Sequence, residues 1–134
     1  MNNTAFGEVV FNYGFDVKSN LTLWGKAHNI TVTAKAYREK DGITSNQEQS
    51  FQAYKEKLAE TQIAIERLIA QYFEATENKP CTPEQLSARF FPRTLLFGRD
   101  GNYVLLLDDA ADPDNGLAVC LSPEEKVVTQ DDYL

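Results

Sequence analysis

The strongest constraint on this chain is an uninterrupted helical period in its middle. From 46 to 76 there is neither proline nor glycine. Phe51, Tyr54, Leu58, Ile65, Leu68, Ile69, Tyr72 and Phe73 recur there at near-helical spacing. Ser45-Asn46-Gln47-Glu48 fits a capping box, in which the Ser45 hydroxyl and the Glu48 carboxylate would each satisfy a backbone N–H of the first turn. The pattern predicts one long helix over 46–76, stopped by Asn78-Lys79-Pro80. A helix with an apolar stripe needs a surface to cover, and the flanking segments read as that surface.

Before the helix, Leu21 to Ala27 and Ile30 to Tyr37 alternate with period two. Ile30, Val32, Ala34 and Ala36 fall on one face, and Thr31, Thr33, Lys35 and Tyr37 on the other. His28-Asn29 lies between the two runs and reads as a hairpin turn. After the long helix, Thr82-Pro83-Glu84-Gln85 starts a short one over 83–91: threonine caps, proline takes the first position, and Gln85 completes the box. Cys81 and Leu86 could staple that start. Thr94 to Phe97 and Tyr103 to Leu107 then flank Asp100-Gly101, a strong hairpin signal. Leu117 to Leu121 is a further apolar run, and a final strand runs from Lys126 to Gln130. The expected fold is a single α+β domain spanning 1–134. Its strands lie in 5–38 and 94–130, forming a largely antiparallel sheet, with one long and one short helix packed on one face.

Charge is distributed unevenly. The net charge is −7. Residues 1–99 hold 12 Lys/Arg and 11 Asp/Glu, whereas residues 100–134 hold nine acids and only Lys126. Such a field repels nucleic-acid phosphates and favours a basic protein partner. A structural domain with no such partner, its acidic end solvated and serving solubility alone, is the competing account.

No catalytic constellation is legible. The single histidine, His28, would have to serve any Ser-His-Asp or Cys-His arrangement, and its place at a turn suits a solvated residue better. One His and two distant Cys do not make a zinc set. Cys120 lies in an apolar run and reads as a core thiol. Cys81 lies near a helix start, which could lower its pKa or simply place it in the staple. Trp24 with Tyr37 could form an exposed aromatic patch or pack in the core. The stretch Asp108 to Gly116 is rich in hard oxygen ligands, so a calcium- or metal-dependent hydrolase using 108–116 is the alternative reading. With Gly116 as sixth residue of a helix–loop–helix calcium loop, however, the twelfth is Ser122, where a bidentate Glu is needed. Turn-forming Asp, Pro, Asn and Gly between two strands account for the composition better. No cofactor is implied.

No apolar run approaches the length of a membrane span, and Met1 to Val10 lacks a secretory pattern. Asn-x-Thr triplets at Asn2, Asn20 and Asn29 therefore read as chance, and a cytoplasmic protein with free thiols is expected.

Leu105-Leu106-Leu107-Asp108-Asp109, then Asp112-Pro113-Asp114-Asn115-Gly116-Leu117-Ala118-Val119, then Gln130-Asp131, resembles an uncharacterised bacterial domain family. Its pattern is a strand, W-D-P-E-H-G, an apolar strand and a late Q-D. The helix with Gln49, Ala53-Tyr54 and Tyr72 is also similar. Ala111, Asp114 and Asn115 stand where the family has Trp, Glu and His, which argues against a catalytic role for the motif. Such families resemble immunity proteins of polymorphic-toxin and contact-dependent inhibition systems. The resemblance implies a non-catalytic protein that blocks a cognate toxin. Asp108, Asp109, Asp112, Asp114, Asp131 and Asp132 are the expected contact acids.

Overall fold

The structure, a computed structural model, describes residues 2–133. Two short strands, β1 (Asn2–Asn3) and β2 (Gly7–Glu8), pair with each other. The main sheet comprises β3 (Val10–Phe11), β4 (Phe15–Leu23), β5 (Lys26–Ala34), β6 (Phe90–Phe97), β7 (Tyr103–Asp109), β8 (Asp112–Ser122) and β9 (Lys126–Thr129), in sequence order across the sheet. Every pairing in it is antiparallel except β5–β6. That one parallel pair follows from the crossover, which carries α1 (Ser45–Glu56), α2 (Leu58–Glu77) and α3 (Pro83–Arg89) between β5 and β6. A last turn, α4, spans Gln130–Tyr133. The α+β reading and the largely antiparallel sheet hold.

The core lies between the first three helices and one sheet face. Phe51 and Tyr54 of α1, Ile65, Leu68, Ile69 and Phe73 of α2, and Leu86 of α3 join Ile30, Val32, Ala34, Leu95, Phe97, Leu105, Leu107, Leu117 and Val119. Phe97 is the hub, with its ring edge-on to Phe51 at 5.5 Å and stacked on Tyr103 at 4.9 Å. The alternating face predicted for Ile30, Val32, Ala34 and Ala36 is buried throughout.

Four details differ from the sequence reading. The β4–β5 turn is Trp24-Gly25, not His28-Asn29: Leu23 pairs with Lys26, and both turn residues have positive φ (52° and 76°). That is the two-residue primed turn favoured by strand twist. A left-handed tryptophan costs about 1–2 kcal/mol. Packing of its side chain on the core and a hydrogen bond from its N–H to Glu66 Oε2 (3.1 Å) offset the cost.

The long helix begins one residue earlier and is broken at Lys57. Thr44 is the cap: its Oγ1 accepts from Gln47 N (3.1 Å) while Gln47 Oε1 accepts from Thr44 N (2.8 Å). The fully buried Gln47 then donates to the Lys35 and Phe97 carbonyls, tying the cap to β6. With no proline or glycine at the break, the bend tracks the Thr61 hydroxyl, which donates back to the Lys57 carbonyl at 3.0 Å. Thr44→Ala is expected to cost about 1–2 kcal/mol, read as a shift of the urea midpoint at constant slope.

The short helix ends at Arg89, and β6 starts at Phe90, through Pro92. Proline is tolerated because β5 pairs only with Thr94 to Phe97, so the first half of β6 is bonded on one side, and a register shift falls at Pro92/Thr94. Finally, 108–116 is no loop. β7 reaches Asp109, β8 begins at Asp112, and only Ala110-Ala111 turns. The long and short helices share one face as expected, and the additional α4 packs against β8 and β9.

Candidate partner-binding surface

Two strands near the C-terminus are apolar on both faces. In β7 and β8, Leu105, Leu107, Leu117 and Val119 face the helices. Their neighbours Val104, Ala118 and Cys120 form a second cluster on the opposite face, flanked by the half-buried Leu96, Leu106 and Val128. Unbroken apolar runs such as Tyr103 to Leu107 are the sequence signal of strands covered on both sides. Here the second cover is small. It is α4, which follows β9 and places Tyr133 over Cys120 beside a cleft of 330 Å³. Phe91 and Tyr133 remain 36% and 40% exposed.

The two halves of the D-P-x-x-G and Q-D pattern meet here. Gln130 Nε2 donates to the carbonyls of Leu107 (2.9 Å) and Leu117 (3.3 Å), capping the β7–β8 ladder from α4. Gly116 lies directly beneath that amide and has no room for a side chain. Asn115 Oδ1 accepts from Asp131 N at 3.3 Å. The motif is thus a structural clasp that sets the start of β8 against α4.

The six candidate acids divide accordingly. Asp109 is 4% exposed and is no surface acid. Its carboxylate takes Arg89 bidentately, at 2.8 and 3.1 Å, and accepts from Ala111 N. Asp109 is also the largest cause raising the Arg89 pKa. Asp108 is exposed but paired with Arg93 at 2.6 Å. Asp112 and Asp114, opening β8, and Asp131 and Asp132, in α4, are exposed. Among the described residues these four face no Lys or Arg at ion-pair distance. Glu125 is engaged with Arg67 at 2.8 Å and Glu124 with Lys126 at 3.6 Å, while Asp100, in the β6–β7 turn, accepts from Asn102. Four of the C-terminal acids without an ion pair therefore lie on β8 and α4.

The remaining candidates fall into place as structural groups. His28 lies inside β5 opposite Leu21, with Nε2 enclosed and unpartnered. Burial, then Lys26, lowers its pKa below 6.5. The unfolded chain therefore binds this proton first as pH falls. The His28 contribution is intact above pH 6.5 and is lost as pH drops through the lowered value. An NMR titration of the ring protons should give a midpoint below that of an exposed histidine. A midpoint at or above 6.5 would contradict the burial.

Cys81 packs at the core margin, and burial and Glu74 raise its pKa, so the thiol is not activated. Cys120 is buried and its pKa is likewise raised, chiefly by burial. Trp24 packs on the core whereas Tyr37 is 81% exposed, so the two make no joint patch. Among the described residues no three His, Cys, Asp or Glu side chains gather as a metal-ligand set, and no helix is long and apolar enough to cross a membrane. With Asp109 committed to Arg89 and Asp112–Gly116 drawn out as strand, the 108–116 segment does not converge its oxygens on a point.

Comparison of the chain with protein-family models, curated protein sequences and solved structures finds no match.

Proposed function

We propose that this protein is a non-catalytic binding protein of the toxin-neutralising immunity type, cytoplasmic, that docks a basic protein partner on the β8–α4 clasp. The observation that carries the reading is the pairing state of the acids. Asp112, Asp114, Asp131 and Asp132 are exposed without a basic neighbour, while Asp109 is spent inside the fold. Unpaired carboxylates spread along β8 and α4 accelerate encounter with a cationic surface and reject an anionic one. The adjoining apolar cluster, with Tyr133 of α4 partly exposed beside it, offers the kind of aromatic anchor that supplies most affinity at interfaces. The resemblance of the Asp112–Gly116 and Gln130-Asp131 segments to immunity-type families supports the same reading. Nucleic acid is disfavoured as partner by the same field.

The test is calorimetric titration with the domain encoded by the adjacent reading frame, at low and moderate salt. Wild type should bind. A variant with Asp112, Asp114, Asp131 and Asp132 all changed to Asn should bind about tenfold more weakly or worse, and lose most of its salt dependence. Unchanged binding by that variant, or no complex with wild type at low salt, would remove the proposal.

A further inference from the structure

The two edges of the main sheet are treated differently. The β9 edge is four residues long, and α4 follows it directly, folded back against β8 and β9. At the other edge, β3 covers β4 only at Phe15 and Asp16. From Val17 to Leu23, β4 pairs with β5 on its inner side and with no strand on its outer side, among the described residues. Alternate residues of this seven-residue stretch thus turn unpaired main-chain donors and acceptors to the outside. Such an edge normally carries a defence: an outward charge, a proline or a bulge. The stretch has no proline and no register shift. Its one charged side chain, the exposed Lys18, leans inward over β5, donating to Thr31 Oγ1 at 3.0 Å, as the neighbouring Asp16 does by accepting from Thr33 Oγ1 at 2.7 Å.

We infer that the free edge of β4 is a homodimer interface, in which two copies of this chain pair β4 with β4 antiparallel about a two-fold axis at Asn20. The occupant has to be an extended backbone, because an unpaired ladder is satisfied by nothing else. A second copy fits for two reasons. The free stretch is symmetric about Asn20: full use of it sets Val17 opposite Leu23 of the other copy, Lys18 opposite Thr22 and Ser19 opposite Leu21, so no like charges meet. The acidic clasp, moreover, belongs to the β8–β9 side of the sheet, several strands away. Residues 1–99, which hold β4, are close to charge balance, so two copies approach here without apposing their acidic ends.

The pairing is testable at its axis. Asn20 is exposed and packs in no core cluster, so its replacement leaves the fold intact, which an unchanged circular-dichroism melt verifies. On the axis, Asn20 meets Asn20 of the other copy at cross-strand distance, about 5 Å. Wild type should sediment as a dimer in analytical ultracentrifugation. Asn20→Asp and Asn20→Lys should each shift to monomer, because each sets like charges face to face. An equimolar mixture of the two should return to dimer, as Asp opposes Lys. A monomeric wild type overturns the inference, as do single variants that stay dimeric, or a mixture that stays monomeric. This outcome is independent of partner binding at the clasp.

Discussion

Asp109→Ala should destabilise the fold by about 3 kcal/mol or more, the largest effect of any single acid in the chain. Removing one member of a buried pair leaves the other desolvated and uncompensated. Asp109 holds Arg89 by two hydrogen bonds and the β7–β8 turn by a third, to Ala111 N. Arg89 keeps Glu77 at 2.7 Å, which softens the loss without replacing it, since Glu77 is the more exposed partner. Arg89 also lies over the Phe73 and Phe90 rings, so the pair locks α3 against α2 and β6. The urea midpoint should fall by that margin at unchanged slope, whereas Asp112→Ala, on the surface, should move it by no more than about 0.5 kcal/mol. Equal effects at the two sites would contradict the division of the acids into structural and free.

Gly116→Ala is expected to be comparably damaging, although it adds only a methyl group. A Cβ there would overlap the Leu107 carbonyl oxygen and come within 2.6 Å of Gln130 Nε2. The first is backbone in the middle of the ladder, which cannot swing aside. Overpacking of this kind costs about 1–3 kcal/mol, and the displaced Gln130 amide releases two carbonyls as well. Gln130→Ala should relieve part of the clash, so the double variant should be less destabilised than the sum of the singles. Strict additivity would separate glycine and glutamine into unrelated roles and undo the clasp.

The sequence made some of this legible and hid the rest for identifiable reasons. Period two at Ile30 to Ala36 and near-helical spacing from Phe51 to Phe73 mark faces directly, and those faces are the core. The hairpin position is hidden because Trp24 is a poor residue for positive φ; the tertiary bond to Glu66 and core packing make Trp24-Gly25 a turn. Thr44 and Ser45 are equally good caps, and what selects Thr44 is Gln47 reaching β6, a contact remote in sequence. Composition marks the acidic end but cannot tell Asp109 from Asp108, since inward and outward positions alternate in a strand whose register the sequence leaves open. The second apolar cluster did have a signal. Tyr103 to Leu107 and Leu117 to Leu121 lack polar alternation, which a strand covered by helices on one face alone would show.

We propose that a basic protein seats on the clasp between β8 and α4. Amide hydrogen exchange on the complex with the adjacent-frame domain measures this directly. Slowed exchange should concentrate at Asp112–Asn115 and Gln130–Tyr133, with the α1 and α2 outer surfaces unchanged. A footprint on those helices, leaving the clasp as fast as in the free protein, would place the partner elsewhere and contradict the account.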